Sequence, residues 1–294
     1  MTDRPILNAG AGIGGLATAL ALARSGHTVT VLEKRAEAPE EGAGIQIGPN
    51  GTRILQSLGV APHLEAVVAA PEALRVMDGL SGAELTRLPL GRDIAARHGA
   101  PYWVLHRADL HGALRAAVAK EPRITLLPAH EVASAAASET GVAVRLSDGR
   151  DLDGRALIAA DGVWSTVRTR VFGVPPLAFT GKCAMRAVIP VEDLPASLTA
   201  TDTTIWLRPA AHVVHYPVRA GREIAIVAIF DDKALGETWA GSVDLSTLAS
   251  RTIGYPEALQ SLLSRPTLWR QWSLYAPTGP IPWIKDRIAL LGDA

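Results

Sequence analysis

The period of the apolar positions changes several times along the chain, and each change marks an element. Pro5–Ala9 is a short apolar run. A glycine-rich turn follows, and then Gly14–Ser25, whose small and apolar residues predict a helix stopping at Ser25-Gly26. His27–Glu33 is β-branched and apolar, as in a buried parallel strand. Glu41–Asn50 is glycine-rich and is expected to be a loop before a helix over Gly51–Leu58. Ala108–Lys120 predicts another helix, with Asp109 near its start and Leu110, Leu114, Ala117 and Val118 at helical spacing.

The pattern then shifts to period two. Val142–Leu146, the turn dipeptide Asp148-Gly149 and Leu157–Ala160 predict a small antiparallel meander. The alanine- and serine-rich stretch Ala133–Ser138 is expected to be a surface loop. Cys183–Ile189, Thr203–Leu207, His212–Val218 and Glu223–Phe230 are strands separated by Pro, Gly and Asp, which indicates a mainly antiparallel sheet. Ala258–Leu263 reads as helix and Arg287–Leu291 as one last strand. The fold class that emerges is α/β: a Rossmann-like βαβ domain with an inserted, mainly antiparallel β-sheet domain.

Composition narrows the function without choosing it. At 294 residues and 48% hydrophobic, the chain has enough apolar content for a sizeable core. With 29 basic against 29 acidic side chains it carries no electrostatic footprint for nucleic acid. A single cysteine, Cys183, excludes an internal disulfide framework and any multi-cysteine metal site, and is read as a core thiol rather than a nucleophile. Arg4 followed by the apolar run Ile6–Ala23 imitates a signal peptide, but the glycines at 10, 12, 14 and 15 and the strand that follows argue against it. No other stretch reaches the ~18 apolar residues of a membrane span. The protein is therefore expected to be soluble and cytoplasmic, without nucleic acid or membrane partners; a homodimer is left open.

The strongest chemical signal is Gly10-Ala11-Gly12-Ile13-Gly14-Gly15. This G-x-G-x-x-G follows a strand, opens a helix and leads to Glu33, near the ~20-residue spacing the dinucleotide fingerprint expects. Gly10 permits the tight turn, Gly12 admits a pyrophosphate to the backbone, and Gly15 lets helix and strand pack. The helix N-terminus attracts the phosphates and Glu33 accepts from a ribose, so NADP is disfavoured here and FAD or NAD remain.

Three later segments decide between them. Leu105-His106-Arg107-Ala108-Asp109-Leu110, Ala160-Asp161-Gly162-Val163-Trp164-Ser165-Thr166-Val167-Arg168 and Leu290-Leu291-Gly292-Asp293-Ala294 follow the fingerprint in that order. Together with Glu41–Asn50 they make the whole chain resemble the class A FAD-dependent aromatic monooxygenases, nearest to the salicylate and 3-hydroxybenzoate hydroxylase branch. The resemblance implies FAD as cofactor, NAD(P)H as co-substrate, and O2 with a small phenolic or hydroxybenzoate-type ring as reactants. It assigns Asp161 and Gly162 to FAD and NAD(P)H binding, Gly292 and Asp293 to the ribityl and phosphate region, and Arg107 to a contact with FAD. It also implies that the FAD-binding domain comprises residues 1–73, 101–171 and 281–294, and the substrate domain 74–100 and 172–280. Family members continue beyond Gly-Asp-Ala into a segment that covers the flavin ring, so the chain is expected to be truncated at that motif.

Hydroxylating a phenol calls for a base with a pKa near working pH, which histidine supplies. In a strand over Ala211–Val218, His212 and Tyr216 share one face and His215 takes the other. The 3-hydroxybenzoate type has His and Tyr at this spacing, so the resemblance assigns His212 as base or substrate anchor and Tyr216 as its partner. Gln46 and His215 are taken as further substrate contacts. Two local departures stand out: Asn8 at a usually apolar position of the first strand, and Tyr275–Pro280 in place of the family's approach to the last strand. A same-fold flavin dehydrogenase or reductase, and a non-catalytic FAD-binding fragment, are the competing readings. Oxygen-dependent hydroxylated product separates the first of these from a monooxygenase, and flavin uptake with ring-stimulated NAD(P)H oxidation excludes the second.

Overall fold

The computed structural model describes residues 4–37, 43–198, 200–231, 240–242, 248 and 250–294. Its elements run β1 (Ile6–Ala9), α1 (Ile13–Arg24), β2 (Val29–Glu33), β3 (Gly44–Ile47), α2 (Pro49–Ser57), β4 (Ala73–Asp78), β5 (Glu84–Pro89), α3 (Gly91–His98), β6 (Trp103–His106) and α4 (Arg107–Ala119). They continue as β7 (Ile124–Pro128), β8 (Val132–Ala137), β9 (Val142–Leu146), β10 (Asp151–Gly154), β11 (Ala156–Ala159), α5 (Thr166–Arg170), β12 (Ala178–Pro190), β13 (Thr203–Arg208), β14 (Ala211–Val218) and β15 (Glu223–Asp231). The last are β16 (Ala240–Ser242), α6 (Glu257–Leu263), β17 (Arg270–Ala276), β18 (Ile284–Lys285) and β19 (Ile288–Leu290).

A six-stranded sheet in the order β18-β19-β11-β1-β2-β7 forms the first layer, parallel except for β18. Every residue of β1 is buried, as befits a central parallel strand covered on both faces. Leu16, Ala19 and Leu20 of α1 and Leu110, Leu114 and Val118 of α4 cover one face. The other is covered by Val142, Val144 and Leu146 of the three-stranded sheet β10-β9-β8 and by Val167 of α5.

Three expectations are corrected. Gly44–Ile47 is a strand rather than loop, because it pairs antiparallel with β6 from Gly44↔His106 to Ile47↔Trp103; Glu41 and Gly42 lie outside the described residues. Ala133–Ser138 is mostly strand β8, held by antiparallel pairing with β9, whose apolar side needs a partner. Leu157–Ala160 does not close the meander. Asp148-Gly149 joins β9 to β10, and β11 runs parallel between β1 and β19 in the central sheet.

The second layer is an eight-stranded sheet in the order β16-β17-β12-β15-β14-β13-β4-β5. Its neighbours are antiparallel except β13 with β4. One face is sealed: Met185, Val213, Ile224, Ile226, Ala228 and Trp206 pack under Leu259, Leu262 and Leu263 of α6. The opposite face is half-open, with Val188, Ile205, Val214, Val227 and Ile229 only partly covered. Part of this second face is also packed, where Tyr216, Val218 and Ala225 are buried against Val104 of β6.

Candidate active site

The glycine turn after β1 is set by close approaches. Gly10 has φ +102°, and a Cβ there would fall 2.3 Å from the carbonyl oxygen of Ala160. A Cβ on Gly15 would lie 2.0 Å from the carbonyl oxygen of Gly10, so α1 and β1 meet at backbone distance. Gly12 instead faces open space, which leaves room for a ligand's phosphates against the start of α1. Gly14 lies in the first turn of α1 against the Leu291 side chain. Asn8 is fully buried and donates from Nδ2 to the carbonyl oxygen of Gly10 at 2.9 Å, tying the loop to its strand.

Ala11, between the first two glycines, is pinned from both sides. Its N–H donates to Glu33 Oε2 at 2.8 Å, and its carbonyl accepts from His111 Nε2 at 2.7 Å. Glu33 Oε1 accepts in turn from the N–H of Arg35 at 2.9 Å. Each carboxylate oxygen retains a lone pair, so Glu33 holds the loop and still has capacity for a ribose hydroxyl.

A cavity of about 1200 Å³ opens from this loop. Among the residues lining it are Gly10, Gly12, Glu33, Arg107, Asp161, Gly162, Gly292 and Asp293. Segments far apart in sequence therefore converge where the motifs predicted. Asp161 Oδ2 accepts from the N–H of Val167 at 3.2 Å, while Oδ1 is buried without a hydrogen-bond partner. Behind them, Arg168 is buried and donates from Nη1 to the carbonyl of Asp293 at 2.7 Å and from Nη2 to that of Val163 at 2.6 Å. Burial lowers its pKa, and the charges of Asp161 and Asp293 pull it back up. A glycine cradle, an unsatisfied carboxylate oxygen and Arg107 form a donor and acceptor set that fits a dinucleotide.

The cavity reaches the half-open face of the eight-stranded sheet through Lys182, Arg186 and Trp272. On that face the register aligns three rows: His212–Ile229–Ala184, Val214–Val227–Arg186 and Tyr216–Ala225–Val188. His212 and Tyr216 thus stand on one face with Val214 between them, about 13 Å apart along the strand. Burial lowers the pKa of His212 and the charge of Lys182 lowers it further, so the imidazole is neutral at pH 7. Burial raises the pKa of Tyr216, against the pull of Arg186. A Cβ on Gly44 would come within 2.5 Å of the Tyr216 ring, so β3 carries its glycine where the ring lies. Gln46, two residues on, accepts a hydrogen bond from the Tyr102 hydroxyl and exerts a small lowering influence on the pKa of Tyr216.

His215 is not brought to this face. It sits on the sealed side, 1% exposed, its ring stacked on Trp206 at 6.5 Å between centroids, with neither ring nitrogen hydrogen-bonded. Its assignment to the substrate is thereby corrected: strand alternation turns it into the core. Neither His212 nor Tyr216 lines the cavity itself; they lie beyond it on the sheet that bounds it. Sequence reasoning missed His111, Tyr102, Gly44 and Arg186. Only Arg186 left a signal, as a lone charge inside the apolar strand Cys183–Ile189.

Residues 3–294 match the family model described as an FAD binding domain. The chain is 36% identical over 291 residues to 3-hydroxybenzoate 6-hydroxylase 1 of Aquipseudomonas alcaligenes, covering 98% of this chain and 73% of that protein. It is 34% identical to 3-amino-4-hydroxybenzoate 2-monooxygenase of Streptomyces cremeus, covering 100% and 73%. The structure is similar to that of Klebsiella pneumoniae HpxO complexed with FAD and uric acid, with a TM-score of 0.81, 25% identity and coverage of 98% and 72%.

Proposed function

The chain belongs to the class A FAD-dependent aromatic monooxygenases, and on that premise we propose that it hydroxylates a phenolic ring of the hydroxybenzoate type. Ring, O2, NAD(P)H and a proton become hydroxylated ring, water and NAD(P)+. FAD, when bound, supplies acceptance of the hydride and activation of oxygen. The chain's own residues bind, orient and deprotonate.

The observation that carries this reading is the half-open sheet face at the end of the dinucleotide cavity, bearing His212 and Tyr216 across an apolar floor. Val214, Val227 and Ile229 suit an aromatic ring laid flat on them. His212, neutral at pH 7, takes the proton of the ring hydroxyl and leaves an electron-rich phenolate. Tyr216, kept as a neutral phenol by burial, donates a hydrogen bond from the other end, with Gln46 beside it. Glu33, Arg107, Asp161, Gly162, Gly292 and Asp293 hold the FAD, and Gly10, Gly12, Gly14 and Gly15 shape its loop.

This reading treats residues 1–73, 101–171 and 281–294 as the FAD-binding part and 74–100 with 172–280 as the substrate part. It also places the enzyme in the cytoplasm, where a buried thiol such as Cys183, outside any disulfide, suits the reducing conditions.

The test is NADH and NADPH oxidation by the FAD-loaded protein across a panel of hydroxybenzoates, with product analysis under 18O2. Ring-stimulated oxidation with one labelled oxygen in the product is expected. His212→Asn should slow hydroxylation on the order of 100-fold while FAD affinity stays within about 3-fold. Reduction of the flavin without labelled product overturns the monooxygenase reading, and equal losses of hydroxylation and FAD binding overturn the role of His212.

A further inference from the structure

Arg186 sits near the middle of β12 and lines the cavity. Its Nε is buried without a hydrogen-bond partner, and its guanidinium lies over the Trp272 ring at 5.1 Å from the centroid. Among the described residues no carboxylate lies within ion-pair distance of it. The two acids that β15 places on its face, Asp231 and Glu223, are paired with Lys182 and Arg219. Other cations lie near it: Arg270 is its partner in the β12–β17 register, and its pKa is lowered by burial and by the charge of Arg107, against an opposing pull from Tyr216. A cation withdrawn from water without a counterion is costly, and such groups in proteins are normally paired. The protein carries this cost in a cavity wall, where a ligand can relieve it.

The register says where such a ligand lies. Arg186 occupies the same lateral row as Val214, with Val227 between them. Two strand spacings, about 10 Å between Cα atoms, separate Arg186 from Val214, within reach of an extended arginine and a ring lying between. A ring over Val214 and Val227 then meets His212 along the strand and Arg186 across the sheet. These are two directions at an angle, not the two ends of a line.

We propose that Arg186 is the anchor for the carboxylate of the substrate, so that the site selects anionic aromatic rings with the carboxylate and the reacting hydroxyl on non-opposed ring positions. The inference rests on the function proposed above and adds to it the residue that reads the carboxylate of the substrate. The planar fork of arginine matches a carboxylate in two parallel hydrogen bonds, and Trp272 holds the fork flat from behind.

The test compares 3-hydroxybenzoate with its neutral, near-isosteric relative 3-hydroxybenzamide on FAD-loaded wild type, Arg186→Met and Arg186→Lys. Binding is followed by perturbation of the flavin spectrum and by the rise in Tm. Wild type should bind the benzoate more tightly than the benzamide. Arg186→Met should weaken the benzoate by at least about 10-fold and the benzamide by less than about 3-fold, with Arg186→Lys between the two. Ligand-free Arg186→Met should melt no lower than wild type, since it loses a half-buried charge that has no counterion among the described residues; a purely structural arginine would lower it. Equal losses for both ring compounds overturn the proposal while the monooxygenase reading stands. A fall in FAD affinity matching the loss of benzoate binding overturns it in favour of a flavin counterion. If wild type binds no phenolic ring at all, both the reading and the proposal fail.

Discussion

Arg168 and Asp293 lie at opposite ends of the second half of the chain, yet the Nη1 of one donates to the backbone carbonyl of the other at 2.7 Å. The same guanidinium holds Val163 through Nη2 at 2.6 Å. One buried arginine thus fastens the Asp161-Gly162 segment to the Gly292-Asp293 segment, and both line the dinucleotide cavity. Arg168→Met leaves two carbonyls without their charge-assisted donors. It should cost about 2–4 kcal/mol of stability and weaken FAD binding in parallel. Chemical denaturation of the apoprotein and a fluorescence titration with FAD measure the two. Retained FAD affinity in a destabilised variant contradicts the fastening role.

Gly44 is the clearest steric prediction. Its added Cβ would lie 2.5 Å from Tyr216 Cε2 and 2.7 Å from the hydroxyl oxygen, with Ala225 at 2.6 Å on another side. Gly44→Ala must therefore push the ring of Tyr216 off its place. A displacement near 1 Å at a positioning group costs on the order of 100-fold in rate. Steady-state kinetics should show that loss, with FAD affinity falling far less, because β3 meets the dinucleotide cavity only at its Ala43 end.

Asn8 separates two kinds of cost. Its Nδ2 ties the carbonyl of Gly10, while Oδ1 is buried and unpartnered. Asn8→Val loses one hydrogen bond but also removes the orphaned acceptor, so its stability should stay within about 1 kcal/mol of wild type. Asn8→Asp sets a buried carboxylate against the Gly10 carbonyl and should cost about 3 kcal/mol or more. Thermal melts of the two variants check the order. FAD should dissociate faster from both, since neither holds the loop carbonyl.

The glycine loop and Glu33 were legible because their chemistry is local, each needing a given residue at a given turn. The Asp-Gly and Gly-Asp segments were singled out only by the family resemblance, and the structure brings both to the cavity that the loop lines. Strand period alone placed His212 and Tyr216 on one face and His215 on the other. What could not be read depends on tertiary pairing. The Gly44–Ile47 strand exists because β6 is there to receive it, and β11 left the predicted meander because β1 and β19 offered parallel partners. Arg186 and His111 act through residues distant in the chain, and no spacing announces such a partner. The assignment of His215 to substrate failed for a related reason: the sealing of its face by α6 is invisible in the strand that carries it.

That burial gives His215 a measurable signature. Desolvation, with a smaller contribution from the charge of Arg75, lowers its pKa from 6.5 to about 4. The unfolded chain therefore binds a proton that the folded one refuses between these values, and the stability that the neutral ring contributes is complete above pH 6.5 and lost as the pH falls toward 4. The full loss approaches about 3 kcal/mol. His215→Phe keeps a planar ring against Trp206 and removes two unpartnered nitrogens, so it should be at least as stable as wild type at pH 7 and lack this part of the acid slope. Denaturation curves from pH 7.5 to 4 resolve the difference. Hydroxylation at pH 7.5 should be unchanged in the same variant, and a loss there on the scale expected for His212→Asn would return His215 to the site.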